Sequence, residues 1–357
     1  MSDARAALIL DDGATFPGKP FGASGEAIGR TVFYTGVVGY QEVLTNPSYR
    51  GTVLVLTYPI IGVYGINAED DESPAAHARG LVVREYSPYY SNFRATGGLE
   101  DFLKKHGVVG IREVDTRAVA VHLRDHGERR GAIVSGDIDP GKAAATLNQR
   151  PPREDLVEES TWEEERRPRG RTRCRLVVLN LGATRGLLDQ LTGLGCRLDV
   201  LRASATAEDV MQKRPQGVLL VGGPGDPRTA KHAVETAKAL LGKVPLLGIG
   251  LGHQVLGLAL GCRIRRLKTG HHGLNYPVKN VQDGTAAITV QHHSCVIDDR
   301  RLPRGVEVTH RNLNDRTVEG LRSRKVPAWG IQFHPTPDER DRPNPILTRF
   351  CHALAKP

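Results

Sequence analysis

Short apolar runs alternate with amphipathic stretches along the second half of the chain, and this alternation predicts its fold. Continuous apolar runs predict buried strands, whereas apolar residues at helical spacing predict helices. The predicted strands are Leu176–Leu179, Leu198–Leu201, Gly217–Val221 and Val244–Ile249. The predicted helices are Gly182–Leu194, Thr229–Leu241 and His253–Leu260. Strands that alternate with helices predict a parallel sheet that is covered on both faces.

The pattern changes after Gly261, where short β-rich runs follow one another between turn residues. These runs predict antiparallel strands added to the sheet at Ala286–Val290, Val306–Thr309, Thr317–Arg322 and Ala328–Phe333. A closing helix is predicted over Pro345–Ala355. The expected architecture of this half is therefore a mixed, mainly parallel sheet flanked by helices.

The first half mixes both kinds of pattern and predicts a separate α/β domain. Its predicted strands are Ala6–Leu10, Thr31–Thr35, Thr52–Thr57 and Gly80–Arg84, and its predicted helices are Leu99–His106 and Thr116–Arg124. Residues 151–172 are charged, contain several prolines and hold few apolar side chains, which is typical of an exposed linker. We therefore expect an α/β protein with domains at 1–150 and 173–357, joined by a linker at 151–172.

Composition is typical of a soluble globular protein, with 39% hydrophobic and 25% charged residues among 357. No apolar run reaches the roughly 18 residues of a membrane span, and no secretory signal is visible. The five cysteines are scattered and form no Cys-x-x-Cys pair. We therefore expect reduced thiols in a cytoplasmic protein, with no metal site and no contact with a membrane.

Positive charge is concentrated in the second half. Residues 171–357 carry a net charge of +14, against −5 for residues 1–170. A basic half can indicate a nucleic-acid partner. Because the arginines are dispersed and no nucleic-acid motif accompanies them, we expect no nucleic-acid binding.

One segment of the second half suggests a reaction class. Residues 246–254 place an apolar strand before a glycine-rich turn and a helix. This is the strand–elbow–helix on which acyl-transfer enzymes carry a nucleophile. The nucleophile position is Gly250, and glycine has no side chain that could attack a substrate.

Two further segments fit the same chemistry. Residues 219–227 form a strand that ends in glycines, whose backbone N–H groups could hold an oxyanion or a carboxylate, although a plain tight turn explains them equally well. Residues 329–337 form a strand that delivers His334 at its end, and a histidine in that place is a candidate general base.

Together these segments resemble the class I glutamine amidotransferase domain, and the whole chain resembles the small (glutaminase) subunit of carbamoyl-phosphate synthase. In the first half the resemblance is carried by residues 39–49, 57–62, 69–73 and 115–118, and in the second half by 270–277 and 312–320. The family hydrolyses glutamine through a cysteine thioester and passes ammonia to a large subunit, which makes carbamoyl phosphate for arginine and pyrimidine synthesis. The resemblance thus implies a large-subunit partner and no cofactor in this chain.

Some family positions are matched in this chain. The resemblance implies that His334 relays protons and that Gly223, Gly225, Leu251 and Gln254 shape the glutamine site. It also implies a substrate-site role for one residue of the first half, Ser48.

Other family positions are altered. The elbow cysteine is replaced by Gly250, and the glutamate that orients the histidine is replaced by Thr336. The family's Gln-Asn-His-Gly-Phe is Gln-His-His-Ser-Cys here, which places His292, Ser294 and Cys295 in the pocket. Thioester formation needs an activated thiol, so we expect a lost or impaired glutaminase for which L-glutamine is a doubtful ligand.

Three functions remain open at this point. The chain could be a synthase subunit without glutaminase activity, an ordinary active glutaminase subunit, or a regulatory or ligand-binding paralogue. Cys295 could also be a relocated nucleophile, although it lies off the elbow.

Overall fold

The computed structural model describes residues 5–136, 139–150, 153, 156–338 and 340–354. Its contacts divide the chain into two units, Met1–Arg153 with Lys268–His272, and Glu154–Leu267 with Gly273–Pro357. The first unit therefore includes a short segment from far along the chain. The domains predicted from the sequence, 1–150 and 173–357, placed this segment, Lys268–His272, in the second domain.

The first unit is built around a closed barrel. Its strands are β1 (Ala6–Leu10), β2 (Thr15–Gly22), β3 (Ala27–Tyr34), β4 (Thr52–Leu56), β5 (Ile60–Ile61), β6 (Gly80–Val82), β7 (Glu85–Tyr86), β8 (Val109–Arg112) and β9 (Arg129–Ser135). Its helices are α1 (Tyr40–Thr45), α2 (Leu99–His106), α3 (Thr116–His126) and α4 (Pro140–Gln149). The barrel order is β1-β2-β8-β6-β4-β3-β9, while β5 and β7 form a separate ribbon. Every residue of β1 and β4 is buried, as expected for their continuous apolar sequences.

The second unit contains one large sheet. Its strands are β10 (Glu164–Arg166), β11 (Cys174–Gly182), β12 (Cys196–Arg202), β13 (Gly217–Gly222), β14 (Leu246–Ile249), β15 (Arg263–Asn280), β16 (Ala286–Asp298), β17 (Val306–Asn312), β18 (Val318–Ser323) and β19 (Ala328–Ile331). Its helices are α5 (Arg185–Gly193), α6 (Ala207–Gln212), α7 (Lys231–Leu240), α8 (Leu251–Ala259) and α9 (Pro345–Leu354). The sheet order is β10-β12-β11-β13-β14-β19-β18-β17-β15-β16.

The centre of this sheet is parallel and its flanks are antiparallel. Strands β12, β11, β13, β14 and β19 pair in parallel, and their apolar residues pack against the helices on either face. Strands β17 and β18 continue the sheet antiparallel from β19. The predicted fold class is therefore confirmed: a mixed α/β chain whose second half is a parallel-dominated sheet flanked by helices.

Local differences from the sequence prediction have simple causes. Part of the predicted linker forms strand β10, which pairs with β12, and Trp162 packs against the core beside it. Gly182 ends β11 instead of beginning a helix, since α5 starts only at Arg185. Ala355, the predicted end of the last helix, lies outside the described residues.

Parallel strands bring their carboxyl ends to one edge of the sheet, where ligands bind in open α/β sheets. At this edge β11 leads to Thr184, β13 to the glycine turn, β14 to Gly250 and β19 to His334. The fold therefore gathers the segments that the sequence analysis selected. Within the described residues, the structure contains no helix that is both long enough and apolar enough to span a membrane.

Candidate active site

The turn between β14 and α8 has the backbone geometry of a nucleophile elbow. Gly250 has φ 63° and ψ −121°, a conformation that side-chain-bearing residues adopt only under strain. Its N–H donates to the carbonyl of Ile331 at 3.0 Å, and its own carbonyl accepts from the N–H of His253 at 3.1 Å. The turn is thus fixed to β19 on one side and to α8 on the other.

Close packing requires glycine at Gly252 but leaves space for a side chain at Gly250. A Cβ at Gly252 would lie 1.9 Å from the carbonyl oxygen of Leu220, so α8 can pack on β13 only with glycine there. A Cβ at Gly250 would meet only the Cα of Gly222, at an ordinary 3.8 Å. The elbow therefore has room for the side chain that it lacks.

The glycine turn after β13 lies directly against the elbow helix. Gly222, Gly223 and Gly225 have φ values of 66°, 115° and 86°. A Cβ at Gly223 would lie 2.6 Å from Cδ2 of Leu251, the first residue of α8. The structure therefore brings together two of the residues predicted to form the substrate site, Gly223 and Leu251.

A salt bridge follows this turn. Arg228 donates to Asp226 through Nη2 at 2.6 Å and Nε at 2.9 Å, and Nη2 of Arg266 lies 3.5 Å from the same carboxylate. Burial raises the pKa of Asp226, but the hydrogen bonds from Arg228 outweigh burial and lower it to about 2. Asp226 therefore remains a carboxylate, and Sγ of Cys295 lies 3.8 Å from its Oδ2.

This contact weakens Cys295 as a relocated nucleophile. The thiol donates to a carboxylate, whose negative charge opposes formation of the thiolate that nucleophilic attack requires. Cys295 is also 1% exposed. It belongs to β16 and not to the elbow turn.

His334 is held at the sheet edge by backbone and side-chain contacts. Its N–H donates to the carbonyl of Val290 at 2.9 Å. Its Nε2 lies 3.4 Å from Oγ1 of Thr184, a buried residue just before α5. Gln190 of α5 donates to the carbonyl of Pro335 at 2.9 Å, which fixes the following residue as well. The imidazole therefore has a neutral hydroxyl as a neighbour.

Thr336 does not supply the negative charge that the family's glutamate would supply. It is exposed, and its backbone carbonyl accepts a hydrogen bond from Nδ2 of Asn344 at 3.1 Å. A threonine hydroxyl carries no charge that could stabilise an imidazolium. The structure thus gives His334 a hydroxyl contact with Thr184 at a position that the sequence analysis did not single out.

Strand β16 forms a polar wall of buried side chains beside α8. Nε2 of Gln254 donates to the carbonyl of Cys295 at 2.7 Å and to Oε1 of Gln332 at 2.9 Å. The buried ring of His293 lies between Oε1 of Gln291 at 2.7 Å and the carbonyl of Cys295 at 2.9 Å. The amide of Gln254 is thereby engaged with protein groups and ties α8 to β16.

The remaining predicted residues are placed as follows. His292 and Ser294 alternate with the buried residues of β16 and are half-buried. Ser48 lies in the first unit, in a short 3-10 turn at Pro47–Tyr49, where its N–H donates to Oδ1 of Asn46 at 2.9 Å. Its substrate-site role stays a prediction.

Sequence reasoning missed three residues of this edge: Thr184, Asp226 and Arg228. A signal for Asp226 existed, because it follows the glycine turn that was already selected. Thr184 gave no signal, since a threonine before a helix is an ordinary N-terminal residue.

Comparisons with known proteins agree over almost the whole chain. Residues 8–133 match the family model "Carbamoyl-phosphate synthase small chain, CPSase domain", and residues 177–353 match "Glutamine amidotransferase class-I". Curated proteins described as carbamoyl phosphate synthase small chain are similar to it. The one from Syntrophotalea carbinolica is 43% identical over 99% of this chain and 98% of that protein. The one from Bacillus caldolyticus is 42% identical over 96% and 94%, and the one from Escherichia coli 37% over 98% and 96%.

Proposed function

We propose a function from one premise: the chain belongs to the family of carbamoyl phosphate synthase small chains. In our proposal it is the small subunit of that synthase, and its own glutaminase is lost or strongly impaired. It would dock on a large subunit in the cytoplasm, which would use free ammonia to make carbamoyl phosphate for the arginine and pyrimidine pathways. The chain itself needs no cofactor for this role.

The observation that carries the proposal is the occupant of the elbow. Thioester formation requires a thiolate at the turn, and Gly250 offers only hydrogen there. The elbow keeps the strained backbone of a nucleophile turn. A preserved turn that lacks its catalytic side chain supports the loss of glutaminase activity without a change of fold.

The surroundings of the elbow support the same conclusion. A general base needs a partner that stabilises its protonated form. The hydroxyl of Thr184, which lies 3.4 Å from Nε2 of His334, carries no charge that could do so. The Asp226–Arg228 salt bridge and the thiol of Cys295 occupy the side of the glycine turn. L-glutamine is therefore a doubtful ligand of this pocket.

The test is glutamate release from glutamine by the purified chain, alone and with the cognate large subunit. We expect negligible hydrolysis in both cases and a stable heteromer that makes carbamoyl phosphate from ammonia. A family member with an elbow cysteine, assayed in parallel, is the positive control. Turnover at that member's rate would overturn the proposal.

The assay also separates the alternatives. Residual turnover that Cys295→Ala abolishes would identify a relocated nucleophile. A chain that binds no large subunit from its own organism would instead be a regulatory or ligand-binding paralogue. The paralogue hypothesis is favoured by one observation: three charged side chains, Asp226, Arg228 and Arg266, lie together beside the glycine turn.

A further inference from the structure

Three cysteines from distant parts of the sequence meet in the second unit. Sγ of Cys174 lies 2.9 Å from Sγ of Cys196, which in turn lies 3.4 Å from Sγ of Cys351. All three sulfur atoms fall within 4.8 Å of one another. Cys174 and Cys196 are register partners on β11 and β12, and Cys351 comes from α9. All three are free thiols.

The cluster is separate from the candidate active site. Cys174 and Cys196 begin their strands, whereas the elbow lies at the carboxyl ends. From the first to the ninth residue of β11 there are eight steps of roughly 3.3 Å, which place about 26 Å between the two edges. The thiols are at most 3% exposed and belong to an apolar core cluster with Leu347 and Phe350.

The chemistry of the cluster restricts what it can bind. Within the described residues the group offers three thiols and no histidine or carboxylate. Zinc in structural sites takes four ligands, and three thiolates around a monovalent or divalent ion would leave a net negative charge in an apolar core. A trivalent thiophilic ion with three thiolates is neutral and needs no fourth ligand.

We propose that Cys174, Cys196 and Cys351 form a binding site for trivalent thiophilic oxyacids, of which arsenite is the simplest. Arsenous acid condenses with the three thiols: three As–O bonds break, three As–S bonds form, and each thiol proton leaves with a hydroxide as water. Arsenic remains trivalent and no oxidant is required. The product cross-links β11, β12 and α9.

Two features determine how such a condensation would proceed: the pKa of Cys174 and the burial of the thiols. Hydrogen bonds from the thiols of Cys196 and Cys351 lower the pKa of Cys174, which favours a thiolate as the first attacking group. Because the three thiols are at most 3% exposed, entry requires local opening of the core around the cluster. Local opening of a folded domain costs less free energy than global unfolding, so we expect uptake to be slow but not to need global unfolding.

The test uses the full chain under reducing conditions, incubated with sodium arsenite and desalted. Native mass spectrometry should show one arsenic per chain with loss of three protons, and X-ray absorption should show three sulfur neighbours. Thermal unfolding should move to higher temperature after loading. Cys351→Ser should reduce retained arsenic at least tenfold, because a two-thiol complex exchanges readily.

Cys262→Ser is the matched control, since Cys262 is also buried but lies outside the cluster. It should retain arsenic as the parent chain does. Cys196→Ala provides a second cluster variant, and circular dichroism establishes that each variant is folded. No retained arsenic in the folded parent, or equal loss in Cys262→Ser, would overturn the proposal. So would retention of Zn²⁺ in place of arsenite by the same three thiols.

Discussion

Two parts of the candidate site differ in how strongly packing constrains them: the elbow, and the three altered positions around it. Around the elbow, the backbone keeps a strained turn, close glycine packing and a fixed helix start. The altered positions, by contrast, are Thr336, His292 and Ser294, whose side chains differ from those of the family motif. In our proposal, the site has kept its backbone geometry and changed its chemistry.

Packing explains why the two regions differ. At Gly252 any side chain would strike the carbonyl of Leu220, so a change there disturbs the sheet. Thr336 is exposed, and His292 and Ser294 are half-buried, so substitutions at these positions cost little stability. Constraints on the fold are therefore sufficient to preserve the first region.

The largest effect is expected from Gly252→Ala. Its Cβ would approach the Leu220 carbonyl to 1.9 Å, which forces α8 away from β13. We expect a loss of about 3 kcal/mol or more in the free energy of unfolding, measured by denaturant titration. Gly193→Ala is the control, because a Cβ there meets nothing within 4 Å in helix α5, and it should be neutral or slightly stabilising. Equal stability of the two variants would refute the packing argument.

The next effect is catalytic and concerns Gly250→Cys. The pocket has room for the Cβ, and the strained φ should cost about 1–3 kcal/mol of stability. We expect the new thiol alone to restore little glutaminase activity, because Thr336 stands where the family has a glutamate, and a threonine hydroxyl carries no charge that could stabilise an imidazolium. Residues that act as one catalytic unit are strongly non-additive.

A reversion series measures this non-additivity. Thr336→Glu is added to Gly250→Cys first, followed by His292→Asn and Ser294→Gly, and glutamate release is measured at each step. Activity should rise mainly at the later steps. Full activity from the single cysteine would mean that the changes at the altered positions are neutral and that only the elbow separates this chain from a working glutaminase.

The sequence predicted strands β11 to β14 and the elbow because their apolar runs are continuous and their glycines are local. It predicted β19 as an antiparallel strand, but β19 pairs parallel with β14 and is antiparallel only to β18. It predicted only the first residues of β16, because the rest of that strand carries buried polar side chains such as Gln291 and His293. Burial of polar groups depends on partners elsewhere in the fold, which a local pattern does not contain. For the same reason the contact of Thr184 with His334 and the meeting of three distant cysteines required the structure.

A smaller effect concerns the pH dependence of stability. His253, inside the elbow helix, has its pKa lowered to about 3 by burial and by the nearby charge of His310. Between pH 6.5 and 3 the unfolded chain binds a proton at this histidine that the folded chain does not bind. Stability should therefore fall as pH decreases through this range, by up to about 1.4 kcal/mol per pH unit for one proton.

This slope can be tested by substitution. In urea titrations from pH 7 to 4, His253→Gln should show a shallower pH dependence than the parent chain, whatever its absolute stability. His352→Gln, at an exposed position of α9, is the control and should keep the parent's slope. An unchanged slope in His253→Gln would show that the buried imidazole is not the source.

The smallest effect separates the two threonines near His334. Thr184 is buried and its Oγ1 lies 3.4 Å from Nε2 of the imidazole, a long hydrogen bond. Thr184→Val keeps the shape and removes the hydroxyl, so we expect a loss of about 0.5–1 kcal/mol in unfolding free energy and a shift of the His334 ring resonances. Thr336→Val, at the exposed position of the family's glutamate, should change neither the stability by more than about 0.5 kcal/mol nor those resonances. If Thr336→Val moved the ring resonances and Thr184→Val did not, the exposed threonine would be the partner of His334. Position 336 would then still act on the histidine, as the glutamate does in the family.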